Sequence, residues 1–282
     1  MQAEATSGSP HDGAPTASTD WVTTAASAST LAAHRRRGAA TDTEITLVHG
    51  FAQTGRCLGP LADALADRYA VTAVDAPGHG GSLRHADADL WDGATLLSGH
   101  TEPQVLIGYS MGGRLALHAA LTHPEQIEAL VLIGATAGLE DPDERRRRRE
   151  DDERRARRLE RVGLEEFLSE WMALPLFSGL PRWARFDEER RTNTVEGLAA
   201  SLRRAGTGSM TPLWDRLEEI TCPVLLVTGA DDHPYTALAA RLEGRFGGPT
   251  RRVEVPGAGH AVHLEAPGRV IDEVVAMLDP GA

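Results

Sequence analysis

From Glu44 onward, short apolar runs ending in Gly, Asp or Ser alternate with longer stretches of helical character, some with apolar residues every three or four positions. Short runs that are apolar throughout predict strands covered on both faces, and the intervening period predicts helices packed against them. Strands are expected at 45–48, 70–74, 104–107, 129–133, 224–228 and 252–255. Helices are expected over 59–67, 112–122, 235–243 and 267–278, with Pro60 and Pro267 near two of the starts, where proline is tolerated. This order is that of βαβ units in an α/β protein with a mostly parallel sheet and helices on both faces. No internal repeat interrupts it.

Two segments break the alternation. Residues 1–42 are rich in Ala, Ser, Thr, Gly and Pro with almost no periodic apolar pattern, so a disordered extension is expected there. Residues 140–217 are charge-dense and helical in pattern, interrupted by Pro175, Pro181 and Gly206, and far longer than a crossover requires. They are expected to form a helical cap inserted into a core made of residues 43–139 and 218–282.

Composition narrows the classes. The 282 residues are 41% hydrophobic and 25% charged, which excludes fibrous and wholly disordered chains. The formal charge of -12 opposes a polyanionic duplex, so no nucleic-acid partner is expected. Every one of the 29 basic side chains is Arg, so finding Arg at a single position carries little information by itself. Mean hydropathy is -0.28 and no 18-residue apolar run occurs, so no membrane span is expected. The first residues lack a basic segment followed by an apolar one, and the expected location is cytoplasmic. Cys57 and Cys222 lie in no metal-ligand or redox spacing, and neither a metal nor a cofactor is expected. Oligomeric state is not legible.

The chemistry centres on Gly108-Tyr109-Ser110-Met111-Gly112, which follows an apolar strand and opens a helix. In that context Gly-x-Ser-x-Gly makes the sharp turn that lifts a serine hydroxyl above the sheet. A hydroxyl needs an imidazole to take its proton, and the imidazole needs a carboxylate to hold its tautomer. Gly229-Ala230-Asp231-Asp232 and Gly257-Ala258-Gly259-His260 each follow a strand. Their spacings favour Asp232 over Asp231 and His260 over His263, and the order Ser110, Asp232, His260 fits strand ends bordering one crevice. After the first strand, His49-Gly50-Phe51 offers the Phe51 amide, which with that of Met111 is the candidate oxyanion hole. Asp75-Ala76-Pro77-Gly78-His79-Gly80 is read as a loop-shaping turn without chemistry.

Together these motifs resemble the α/β-hydrolase superfamily over about residues 44–280. A narrower resemblance rests on Gly50 to Arg56, Gly108 to Arg114, Trp171 with Pro175-Leu176-Phe177, Asn193 with Gly197-Leu198-Ala199, Ser201-Leu202-Arg203, Gly206-Thr207-Gly208 and Pro212 to Asp215. These are similar to the 2-succinyl-6-hydroxy-2,4-cyclohexadiene-1-carboxylate synthases of menaquinone biosynthesis. The resemblance implies a lyase that eliminates pyruvate from a cyclohexene tricarboxylate, with Ser110 and His260 as its base and a small polyanion as its substrate. It also implies substrate binding by Tyr109, Arg114, Arg148 and Arg190, which suits a guanidinium fork facing carboxylates. Between Glu140 and Arg161, ten Arg face nine acidic residues, so most are surface pairs, and only Arg148 is assigned a role there. The chain departs from the family in reading Asp232-His233-Pro234-Tyr235 where a Lys commonly follows the triad Asp. The triad itself also suits a serine hydrolase acting on a small ester, thioester or C–C bond, and that alternative stays open at this point.

Overall fold

The apolar runs pair into one eight-stranded sheet in a computed structural model that describes residues 21–36, 43–98 and 103–279. Its strands are β1 (Trp21–Thr24), β2 (Ala33–Arg36), β3 (Glu44–Val48), β4 (Ala70–Val74), β5 (Gln104–Tyr109), β6 (Ile127–Ile133), β7 (Val224–Gly229) and β8 (Thr250–Val255). The order across the sheet is β1-β2-β4-β3-β5-β6-β7-β8, parallel from β4 to β8. Only the β1 and β2 pairings at one edge are antiparallel.

Alternation along each strand sends side chains to two separate cores. Ile45, Leu47, Val105 and Ile107 face α1 (Gly59–Ala66) and α10 (Pro267–Leu278), where Leu61, Leu65, Val270 and Val274 are buried. Val48, Leu106, Leu130 and Leu132 face the opposite side, against α2 (Leu90–Leu97), α3 (Met111–Thr122) and α8 (His233–Leu242). The short α9 (Val262–Glu265) leads into α10.

The expectation of a disordered extension over residues 1–42 is corrected for its described part. Residues 21–36 form the edge hairpin β1-β2, and β2 pairs with β4 from Ala33↔Val74 to Arg35↔Thr72. Its longest apolar stretch, Leu31 to Ala33, is too short to show a period, yet all three residues are buried. Pairing with a distant strand satisfies the backbone groups that composition alone leaves to water. Residues 1–20 and 37–42 lie outside the described residues.

Between β6 and β7 run α4 (Pro142–Val162), α5 (Leu164–Met172), α6 (Asp187–Arg190) and α7 (Val195–Ala205). Asp141 accepts the Asp143 amide to start α4, and Thr194 accepts the Gly197 amide to start α7. Helix α4 buries only Asp152, Ala156 and Leu159, a narrow stripe at helical spacing that packs with Leu198, Ala199 and Leu202 of α7. One buried leucine contributes about 1.5–3 kcal/mol, whereas an exposed ion pair contributes about 0–1 kcal/mol. Leu159 and Ala156, rather than the arginine-carboxylate pairs around them, therefore set the rotation of α4.

Candidate active site

The turn after β5 is built by small residues. A Cβ on Gly112 would lie 2.1 Å from the Val48 carbonyl oxygen, and one on Gly108 would lie 2.4 Å from that of Gly112. Only glycine lets α3 leave β5 this tightly against β3. Ser110 occupies φ 52°, ψ -107°, and its amide donates to the Ile133 carbonyl at 2.8 Å. Such a backbone is strained for a residue with a side chain, and strain of this kind is held only where the surroundings over-determine it.

The hydroxyl so raised meets the predicted partners. Ser110 Oγ lies 3.0 Å from His260 Nε2, and His260 Nδ1 lies 2.6 Å from Asp232 Oδ2. Asp232 follows β7 and His260 follows β8, so neighbouring parallel strands deliver both from the same edge of the sheet. Asp231 is exposed; His263 is buried against the Tyr109 ring, 4.2 Å between centroids. Of the competing pairs, the structure brings Asp232 and His260 to the serine. Glu265 accepts the amides on either side of His260, from Gly259 at 2.8 Å and Ala261 at 3.1 Å, which holds that loop in place.

The oxyanion candidates, Phe51 and Met111, border the same space as Ser110 and His260. Met111 opens α3, so its N–H has no intrahelical acceptor and lies at the positive end of the helix. The amides flanking Phe51 are engaged, Gly50 by Gln53 Oε1 at 3.0 Å and Ala52 by His79 Nε2 at 3.2 Å. The Asp75–Gly80 turn thus shapes the Phe51 loop: His49 accepts the Ala76 amide, and Asp75 accepts those of Gly55 and Gly81.

These imidazoles act as neutral acceptors. Burial pushes His49 down to about 4 and His79 to about 3, and it holds His118 at about 4 and His263 at about 3. Each folded value lies below the ordinary 6.5, so on acidification the unfolded chain takes up protons that the folded chain refuses. Stability should be full above pH 6.5, fall through the window from 6.5 to 4, and lose its histidine contribution by about pH 3. Urea midpoints measured at pH 7.5, 5.5 and 4.5 check this; a flat series would contradict the neutral assignment.

A cavity of about 260 Å³ opens over Ser110 and His260, walled by Phe51, Tyr109, Trp171 and Tyr235. Arg114, Arg148, Arg155 and Arg190 line it, and Asp152 is the one carboxylate among its lining residues. Arg114 is buried and donates to the Ala205 carbonyl, tying α3 to the end of α7; burial lowers its pKa to about 10, so it stays charged near neutrality. Arg190 is 1% exposed and donates to the carbonyls of Arg185 at 2.6 Å and Ala52 at 2.9 Å. It therefore braces the Phe51 loop as well as lining the cavity. Arg148 Nε donates to Asp152 Oδ1 at 2.9 Å. Of the five consecutive arginines it alone lines the cavity; Arg145 bonds the carbonyls of Leu139 and Glu140, and Arg149 that of Gly208.

Sequence reasoning missed Arg155, Asp152 and Tyr235 at this site. Tyr235 lines the cavity with Ser110, and its ring lies 4.4 Å from that of His260. Its signal was present as the aromatic retained after Asp232, where the usual cation is absent and His233 is exposed. Among the described residues, no helix is long and apolar enough to cross a membrane.

Comparison with known proteins agrees with this geometry. Residues 47–273 match the alpha/beta hydrolase family. The 2-succinyl-6-hydroxy-2,4-cyclohexadiene-1-carboxylate synthase of Serratia proteamaculans (strain 568) is 32% identical over 203 residues, 69% of this chain and 77% of that protein. A relative in Bacillus subtilis (strain 168), provisionally given the same name, is 42% identical over 182 residues, 61% of this chain and 66% of its own length. The solved structure of MenH from S. aureus superposes with a TM-score of 0.82 at 28% identity, covering 88% of this chain and 98% of that one. With the strand order, the Ser110 turn and a family match spanning most of its length, the chain belongs to the alpha/beta hydrolase family, beside these synthases.

Proposed function

We propose that this protein is a 2-succinyl-6-hydroxy-2,4-cyclohexadiene-1-carboxylate synthase of menaquinone biosynthesis, a lyase that eliminates pyruvate from a cyclohexene tricarboxylate. The observation that carries this reading is the convergence of four guanidinium groups, balanced by one carboxylate, on the cavity above Ser110 and His260. A cavity so charged suits a polyanion and opposes the field of a chain whose formal charge is -12.

In this reading Ser110 removes a ring proton while His260 takes the serine proton, and Asp232 stabilises the imidazolium. The electron pair left on the ring passes toward the adjoining carbonyl, where the amides of Phe51 and Met111 hold the developing negative charge. The ring C–O bond then breaks, the imidazolium returns its proton to the departing enolate, and pyruvate is released. Tyr109, Arg114, Arg148 and Arg190 hold the substrate. A cytoplasmic location goes with this reading, because a trianion does not cross a bilayer unaided.

The test compares pyruvate release from the tricarboxylate with hydrolysis of simple aryl esters by the same preparation. Pyruvate release far above ester turnover is expected. Rapid ester hydrolysis through a covalent acyl-enzyme, with no pyruvate formed, would instead make the protein a serine hydrolase.

A further inference from the structure

We propose that Arg155 is a further substrate-anchoring residue, which receives a carboxylate where the catalytic cavity meets its neighbour. The identity of the substrate rests on the function proposed above; the anion subsite rests on the geometry of α4. Arg148, Asp152 and Arg155 are spaced four and then three residues apart, so they share one face of that helix, beside the buried Ala156 and Leu159. Arg155, Trp171 and Leu174 line both the catalytic cavity and an adjoining one of about 340 Å³. The guanidinium thus stands in the wall between the two.

Charge around it is unbalanced. Asp152 is buried, and its Oδ1 is 2.9 Å from Arg148 Nε but 3.4 Å from Arg155. Its Oδ2 faces the Gly208 amide at 3.5 Å. One carboxylate therefore serves two arginines, and the nearer one takes the better bond. The other arginines of the adjoining cavity are differently placed: Arg154 pairs with Asp151, and Arg158 pairs with Glu166 and Glu170. Burial and the neighbouring Arg148 both push the Arg155 pKa down, the response of a cation short of anions. A substrate carboxylate at this point would supply the missing partner, with the planar donors of the guanidinium open to two oxygens.

The test uses the full chain with Arg155→Gln, Arg155→Lys and a control, Arg157→Gln, whose side chain is 73% exposed and paired with Glu153. KM and kcat for pyruvate release are measured, together with the Kd of propane-1,2,3-tricarboxylate by calorimetry. Arg155→Gln should raise KM and Kd about tenfold or more with kcat within about twofold, because a partly desolvated anchor acts on binding. Arg155→Lys should fall between, and Arg157→Gln should be silent. Unchanged KM and Kd in Arg155→Gln would overturn the proposal, as would an equal loss in Arg157→Gln or a fall in kcat and thermal stability with KM unmoved. Failure of the unsubstituted protein to bind the tricarboxylate would overturn it too. Arg155-dependent binding without pyruvate release would leave the anchor standing and refute the synthase reading, so the two failures are distinguishable.

Discussion

Ser110→Ala is expected to lower kcat for pyruvate release by about 10⁴- to 10⁶-fold while leaving substrate binding within a few-fold of its original value. The hydroxyl is 3.0 Å from His260 Nε2, and the imidazole is held from behind by Asp232 at 2.6 Å, so in the proposed reaction the three are placed to act as one proton-transfer unit. Groups that act as a unit are not additive. His260→Ala should cost about as much as Ser110→Ala, and the double variant should be little worse than either. Asp232→Asn should also lose about 10⁴-fold, by presenting the wrong tautomer to the serine. Single-turnover pyruvate release with matched thermal unfolding curves would check the series. A Ser110→Ala enzyme retaining more than about a hundredth of the original rate would show that His260 reaches the ring proton without the serine.

Arg114→Ala carries the second large effect. Truncating one member of a desolvated charge pair usually costs about 2–5 kcal/mol, or roughly 30- to several-thousand-fold in kcat/KM. Arg114 is buried in the wall of the cavity and keeps its charge near neutrality, so the tricarboxylate should show that loss. Arg146→Ala should be nearly silent, since its side chain is 63% exposed and pairs with Asp143 one turn away. The Arg114 guanidinium also bonds the Ala205 carbonyl, so a purely architectural role predicts something different. Loss of a brace between α3 and α7 would lower the melting temperature and depress turnover of any uncharged aryl ester along with the tricarboxylate. Loss of a carboxylate contact would spare the ester. Equal behaviour of the two arginine variants would make an uncharged substrate the better reading.

Much of the core was legible because its signals are local. The β4 run 70–74 and the α10 range 267–278 have the expected bounds, and β3 and β5 to β8 differ by one or two residues at their ends. Helix α2 is not among the expected helices, although Asp89 accepts the amides of Trp91 and Asp92 in a regular N-terminal cap. The hairpin β1-β2 passed unnoticed for a different reason. Strand β2 acquires its strand character by pairing with β4, and β1 by pairing with β2; His34 is fixed by contacts with Thr23 and Asp75 that no neighbour in sequence announces.

By itself the sequence determined the parallel sheet, the sharp serine turn and the chain order of serine, acid and histidine. Each follows from short-range chemistry: apolar runs that need cover on two faces, glycines that permit a tight exit from a strand, and polar residues placed just past strand ends. Short-range chemistry did not decide which arginines face the cavity: the resemblance implied Arg114, Arg148 and Arg190, and the tertiary structure added Arg155. Along 145–149 the local chemistry is identical at every position, so nothing in that run distinguishes Arg148 from Arg147. The distinction comes from the far end of α4, where burying Ala156 and Leu159 against α7 fixes the rotation of the whole helix. That rotation turns Arg148 and Arg155 toward Ser110 and leaves Arg146 and Arg157 in water, because a rigid helix transmits the angle set by its apolar stripe to every side chain it carries.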